Sequence, residues 1–139
     1  VKVDQLVPRI QESLAQLHAE AGRLGVTPAG APFGLYHEPI NHEEDGPIEV
    51  CLPVSRRLQA AAPVESKELP ATRLAVAELR GDQCSFPAVL QGYDATHDWI
   101  SRQGFVHAGP PREVWLVAPA DTSPDDHMEI AWPFREGER

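Results

Sequence analysis

The sequence is short of basic residues: 12 Lys and Arg stand against 21 Asp and Glu, a formal net charge of −9. Gripping nucleic acid takes clustered Lys and Arg on phosphates, so this balance argues against the chain holding DNA by itself. Cysteine is scarce as well. Cys51 and Cys84 are the only two, too few for a disulfide framework, and a reducing compartment, the cytoplasm, is the simpler setting. No apolar run approaches the ~20 residues of a membrane span, and no signal-peptide pattern opens the chain. Cys-x-x-Cys pairs, His-x-x-x-His spacing and glycine-rich phosphate loops are all missing, so no metal and no cofactor are implied. The chain opens at Val1 rather than methionine, and a processed chain or a fragment of a longer one is expected.

What is there suits one folded domain over residues 1–139. The length can bury a core without staples. The 42% apolar content, punctuated by 14 prolines and 10 glycines, reads as a turn-rich fold rather than disorder. Leu6, Ile10, Leu14, Leu17, Ala21 and Leu24 recur at helical spacing and predict a helix from about Asp4, a plausible N-cap, to Leu24, with Gly25 ending it. Phe86, Val89, Leu90, Tyr93, His97 and Ile100 predict a second helix to Arg102, capped by Ser85 and closed by Gly104. Alternation marks strands at Phe33–His37, Ile48–Leu52, Arg73–Leu79, Arg112–Val117 and Met128–Trp132.

The segments after the two helices repeat. Gly25, Ala29-Gly30, Pro32 and Tyr36 correspond to Gly104, Ala108-Gly109, Pro111 and Trp115 at an offset of 79. Ile48-Glu49-Val50-Cys51-Leu52-Pro53-Val54 corresponds to Met128-Glu129-Ile130-Ala131-Trp132-Pro133-Phe134 at an offset of 80. Two matches in register, each behind a similar helix, indicate an internal duplication. The expected architecture is α+β, a tandem pair of β-α-β-β units: repeat 1 over about 1–54, a connector over 55–70 and repeat 2 over about 71–135. The offset places the first-half partner of Arg73–Leu79 just before residue 1, so a first strand lying upstream is expected.

Strands send alternate side chains to opposite faces. Ile48, Val50 and Leu52, with Met128, Ile130 and Trp132, form apolar faces, and in the fourth strand Val114 and Leu116 are the apolar pair expected to join them against the helices. The opposite face is then expected to collect Glu113, Trp115, Val117, Glu129, Ala131, Gly34, Tyr36, Glu49 and Cys51. Carboxylates and rings on one face suit a flat, apolar, cationic ligand. The same pattern also suits a solvated sheet face. Glu49 and Glu129 repeat between the halves, whereas Glu113 stands opposite Gly34, and that asymmetry singles out Glu113. His37, His42, Glu43, Glu44 and Asp45 in one loop, and Asp125, Asp126 and His127 in another, lack a metal-ligand spacing and read as acidic hairpin loops. Cys51 reads as a small buried thiol rather than a nucleophile.

The ordered set Ala29-Gly30-Ala31-Pro32-Phe33, Tyr36-His37, Gly46-Pro47-Ile48-Glu49-Val50-Cys51-Leu52-Pro53, Phe86-Pro87, Tyr93-Asp94, Gly109-Pro110-Pro111-Arg112-Glu113-Val114-Trp115 and Glu129-Ile130-Ala131-Trp132-Pro133 resembles the GyrI-like family, in the version found C-terminal to MerR-type DNA-binding domains of multidrug-sensing regulators. The resemblance covers nearly the whole chain. It implies pseudo-twofold symmetry, a central ligand cleft, a pocket glutamate at Glu113, a second pocket acid at Glu129 and aromatic lining at Tyr36, Tyr93 and Trp115. Trp115 departs from the family's usual tyrosine and Ala131 from a frequent aromatic. The implied function is binding of a small hydrophobic, cationic or polyaromatic effector, with DNA reached only through an upstream domain and a homodimer of the parent protein left open. Some family members hydrolyse strained-ring natural products, which would make Glu113 a general base with a hydroxyl from Tyr36 or Tyr93. A stand-alone protein-binding inhibitor is the third reading.

Overall fold

The computed structural model describes residues 5–37, 48–117 and 125–137. In chain order these form α1 (Leu6–Arg23), β1 (Phe33–Tyr36), β2 (Ile48–Cys51), β3 (Arg73–Arg80), a 3-10 turn (Gly81–Cys84), α2 (Leu90–Arg102), β4 (Phe105–His107), β5 (Arg112–Trp115) and β6 (His127–Glu136). The strands make one antiparallel sheet in the order β2-β1-β5-β6-β3, with β4 also paired to β6.

Helix α1 turns Ile10, Leu14 and Ala21 inward, the stripe its apolar spacing dictates. Gly25 follows with φ 71° and Gly104 follows α2 with φ 76°, the left-handed stop that glycine takes at least cost. The expected N-cap Asp4 lies outside the described residues. Helix α2 begins at Leu90, not Phe86. The chain from Pro87 to Gly92 tightens through bonds from the Leu90, Gln91 and Gly92 amides to the carbonyls three residues back, and Val89 rather than Ser85 occupies the cap. The buried side of α2 is Gly92, Thr96 and Ile100, small enough to bring the helix close to the sheet.

Equivalent positions of the two halves make equivalent contacts. The Ala29 amide donates to the Pro53 carbonyl at 2.8 Å, and the Ala108 amide to the Pro133 carbonyl at 2.9 Å. Pro28 bridges Val54, as His107 pairs with Phe134. Across the β1–β5 seam the Trp115 amide reaches the Pro32 carbonyl at 2.9 Å and the Tyr36 amide reaches the Pro111 carbonyl at 3.2 Å. These reciprocal bonds place a local twofold relation at the seam. On the outer side of β6 lies β3, whereas among the described residues the outer side of β2 has no partner strand.

Three strand expectations change. β5 ends at Trp115 rather than Val117, because the Leu116 and Val117 amides both turn onto the His127 carbonyl. β6 runs on to Glu136 because Phe105–His107, a three-residue strand too short to show alternation, pairs with its far end. The third concerns faces. Register pairs Gly34 with Glu113 and with Val50, and pairs Glu113 with Ile130 and Trp115 with Met128. Directly paired residues share a face, so Glu113 and Trp115 lie with Ile48, Val50, Met128 and Ile130 on the helix-covered side. The apolar core there is built from Ile10, Leu14, Leu79, Val89, Trp115, Met128 and Ile130. A second cluster of Ala75, Ile100 and Phe134 closes the other end of the sheet.

Candidate functional site

Glu113 is the acid at the bottom of this arrangement, 7% exposed on a central strand. Two phenols reach it from different elements. Tyr36, at the end of β1, donates to Oε1 at 3.0 Å, and Tyr93, in the first turn of α2, donates to Oε2 at 2.7 Å. Burial pushes the Glu113 carboxyl above the usual carboxylate range, with the donors Tyr93, Tyr36 and Trp115 pulling the other way. The same burial, with the charge of Glu113 beside them, holds both phenols well above their ordinary range, so they remain donors. Among the described residues no Lys, Arg or His pairs with this carboxylate. A buried charge that has hydrogen bonds but no counter-ion is costly, and a cation brought to it would gain more than at the surface.

Trp115 lies next to Glu113 on the same face of β5, packed into the core and 2% exposed. Its ring lies over β1 where Gly34 has no side chain: a Cβ there would stand 2.9 Å from Trp115 Cη2 and Cζ2. The indole Nε1 is buried with no acceptor in hydrogen-bonding geometry among the described residues, although it lies close enough to Glu113 to favour the anion. Trp132, absent from the sequence-derived set, meets the Tyr93 ring edge-on at 6.1 Å and is tied to the Gly109 carbonyl through Nε1 at 3.1 Å. Its sequence signal was present: Trp132 has the parity of Ile130, and a tyrosine and a histidine one helical turn apart on α2 sit above that row.

The structure thus brings Glu113, Trp115, Gly34, Tyr36 and Tyr93 together, and leaves Glu129, Ala131 and Cys51 elsewhere. Val114 pairs with Glu129, Arg112 with Ala131 and Phe33 with Cys51, so these three lie on the sheet face away from Glu113. The expectation of one shared face fails because it ranked Val114 and Leu116 as the inward pair on apolarity alone. Cys51 lines a groove of about 560 Å³ between the second half of α1, β2 and residues 53–69, together with Glu49, Phe33 and Arg112. That groove does not include Glu113. Burial, reinforced by Glu49, pushes the Cys51 thiol up to about 11, which keeps it protonated and unreactive. Lys67 and His37 bond the Glu49 carboxylate and lower it despite its partial burial.

Of the histidine-rich loops, residues 38–47 and 118–124 lie outside the described residues, and among the described residues no group of three or more His, Cys, Asp or Glu is placed to hold a metal. No helix among them is long and apolar enough to cross a membrane.

Two solved structures share the fold. The DNA complex of EcmrR superposes with a TM-score of 0.73 at 20% identity, covering 96% of this chain and 48% of EcmrR. The crystal structure of the EcmrR C-terminal domain gives 0.72 at 19% identity, covering 96% of this chain and 82% of that domain. The chain therefore spans about half the length of the regulator it resembles. No curated protein sequence matches it significantly. The family model for the GyrI-like small molecule binding domain matches residues 3–135, and with the mixed helix-and-sheet architecture described above, the chain belongs to the GyrI-like family.

Proposed function

We propose that this domain is the effector-binding part of a MerR-type, multidrug-sensing transcriptional regulator, and that its effector is a flat, hydrophobic cation. The observation that carries the reading is Glu113, a buried carboxylate held by two phenols and, among the described residues, by no cation. A polyaromatic cation would replace one phenol at the acid and lay its rings on Trp115 and Tyr36. Tyr36 is fixed by the sheet, so Tyr93 and the first turn of α2 are the part that yields. Binding then favours the arrangement in which α2 has moved, a population shift that a linked DNA-binding domain can read. DNA contact belongs to a domain outside this chain, in a parent protein acting as a dimer in the bacterial cytoplasm. Glu129, Ala131 and Cys51, on the other face, have no place in this ligand site.

The test is titration of a cationic rhodamine against tryptophan fluorescence, for wild type and Glu113→Gln. Loss of a charged hydrogen-bonded partner should weaken binding roughly ten- to hundredfold. Equal affinities would remove the charge-recognition reading. A second reading rests on the hydroxyl of Tyr93 lying 2.7 Å from the acid. Glu113 as base on water and Tyr93 or Tyr36 as hydroxyl donor would make the domain a hydrolase of strained-ring electrophiles. The tryptophan at 115, in place of a third hydroxyl, counts against it. Turnover of an epoxide or aziridine probe that Glu113→Gln abolishes would favour it over sensing.

A further inference from the structure

A pair of imidazoles lies one turn along α2 from Tyr93. His97 Nδ1 and His107 Nε2, the latter on β4, are 2.7 Å apart, and their ring planes lie within 5° of each other with centroids 5.0 Å apart. Both rest on Trp132, His107 at 4.2 Å and His97 at 6.1 Å, and Trp132 in turn meets Tyr93. An aromatic row therefore runs from the two histidines to the phenol on Glu113. The other nitrogen of His107, Nδ1, is buried and has no hydrogen-bond partner among the described residues.

That orphan nitrogen disfavours an added proton on the pair. If both rings are neutral, His107 can donate from Nε2 to His97 Nδ1 and keep Nδ1 bare, a tolerable buried lone pair. Any added proton that keeps the bond must leave a hydrogen on His107 Nδ1. Either His107 is the imidazolium, carrying both hydrogens, or His97 is, and then His107 accepts at Nε2 as the Nδ1–H tautomer. Both outcomes bury an N–H without an acceptor, which is strongly unfavourable. The charged and titratable residues on the elements packed there, besides the pair itself, are Tyr93, Asp94, Asp98 and Arg102 on α2, His127, Glu129, Arg135 and Glu136 on β6, and Arg73, Glu78 and Arg80 on β3. Among the described residues none forms an ion pair with either imidazole, and Arg73 is engaged over the Phe105 and Phe134 rings.

We infer that the His97–His107 pair is a proton-operated latch on α2: neutral, it seats the helix on β4 and β6, and proton uptake unseats it and loosens Tyr93 from Glu113. Burial, with His97 beside it, holds His107 below the ordinary imidazole range. A group depressed on folding takes up its proton more readily when its surroundings open, so the seat weakens as pH falls through 6.5 toward the folded value. The inference rests on the proposed role of Tyr93 only for its consequence. The latch itself requires no ligand.

The experiment is amide hydrogen exchange of α2 in the ligand-free chain at pH 7.5 and 5.5, corrected for intrinsic rates, for wild type and for His97→Gln with His107→Gln. Wild-type protection of the Tyr93–Arg102 amides should fall at the lower pH relative to α1, by at most about tenfold, because pH 5.5 lies one unit below the ordinary imidazole value of 6.5. The double variant should lose that difference. Equal protection ratios at the two pH values in wild type, or an unchanged pH dependence in the variant, would overturn the latch while leaving dye binding untouched. Should the variant fold poorly, the imidazole signals of wild type serve instead. His107 should titrate below the ordinary imidazole range, and the Tyr93 ring signals should move along the same curve. A Tyr93 ring indifferent to that titration would equally reject the proposal.

Discussion

Gly34 pairs directly with Glu113 across the β1–β5 seam, and the two are equivalent positions of the repeat, 34 and 113 at an offset of 79. The local twofold relation therefore passes through this pair, and the duplication has broken its symmetry there, with no side chain on one strand and a buried acid on the other. The gap at Gly34 is filled by the Trp115 ring, itself the equivalent of Tyr36. Glu113 thus takes one phenol from the seam and another from α2, the helix of its own half.

Gly34→Ala should destabilise the domain by about 1–3 kcal/mol, the usual cost of overpacking a filled core. The backbone there has an ordinary φ, so the penalty is steric: the new Cβ would stand 2.9 Å from the Trp115 ring and 3.2 Å from Ile48 Cδ1. Urea unfolding measures the loss, and an altered Trp115 emission should accompany it. Unchanged stability would mean that Trp115 is not fixed over Gly34.

Glu113→Gln should raise the melting temperature at pH 8 and do so less at pH 5. The carboxyl is displaced upward in the folded state. Its contribution to stability is present below the ordinary carboxyl range and is lost as pH rises through the raised folded value. An amide escapes that loss and still bonds both phenols, accepting from one and donating to the other. A large drop in melting temperature at pH 8 would assign Glu113 a structural role and count against a ligand site that stores the cost of a buried charge.

Tyr36→Phe and Tyr93→Phe should each cost about 1.5–3 kcal/mol at pH 8, the range for a hydrogen bond to a charged group, with the penalty shrinking as pH falls toward the raised carboxyl range of Glu113. Combining each with Glu113→Gln in a double-mutant cycle isolates the coupling. Coupling near zero would show that the phenols are held by packing alone.

Cys51 should react with iodoacetamide about a hundredfold more slowly at pH 8 than an unperturbed thiol, because its displacement from 9.0 to about 11 removes two decades of thiolate. Rapid alkylation would reopen the case for a nucleophile in the groove beside α1.

The helices, the duplication and the asymmetry at Glu113 were legible in the sequence, because each rests on spacing: apolar residues every three or four positions, and matched Gly, Pro and aromatic residues at 79 and 80. The face of β5 was not legible. Within Arg112–Trp115 both alternations offer a hydrophobic residue, and Val114 is the more obvious inward choice than a glutamate. Only register decides, since pairing with Ile130 and Met128 carries Glu113 and Trp115 to the helix side. The repeat held the clue in one respect: Glu113 and Trp115 occupy the positions of Gly34 and Tyr36, whose partners on β2 are the apolar Val50 and Ile48. The start of α2 was missed because apolar spacing continues through Phe86 and Val89 although the backbone there is a turn.

Gly92→Ala tests how closely α2 must sit for Tyr93 to reach the acid. In an exposed helix this change would gain about 1 kcal/mol from helix propensity. Here the added Cβ would stand 2.8 Å from Ile130 Cγ1 and 3.1 Å from Leu79 Cδ1, and Ile130 is fully buried on a central strand with no room to retreat. The clash outweighs the propensity, so the expected outcome is a net loss of about 1–2 kcal/mol together with an outward shift of α2. Tyr93 is the next residue, and its 2.7 Å bond to Glu113 should lengthen with that shift. Urea unfolding gives the first quantity, and the ultraviolet signature of the Tyr93 phenol, compared with that of Tyr93→Phe, gives the second. A variant as stable as wild type with an unaltered phenol signature would mean that the α2 seat is softer than its packing against Ile130 implies.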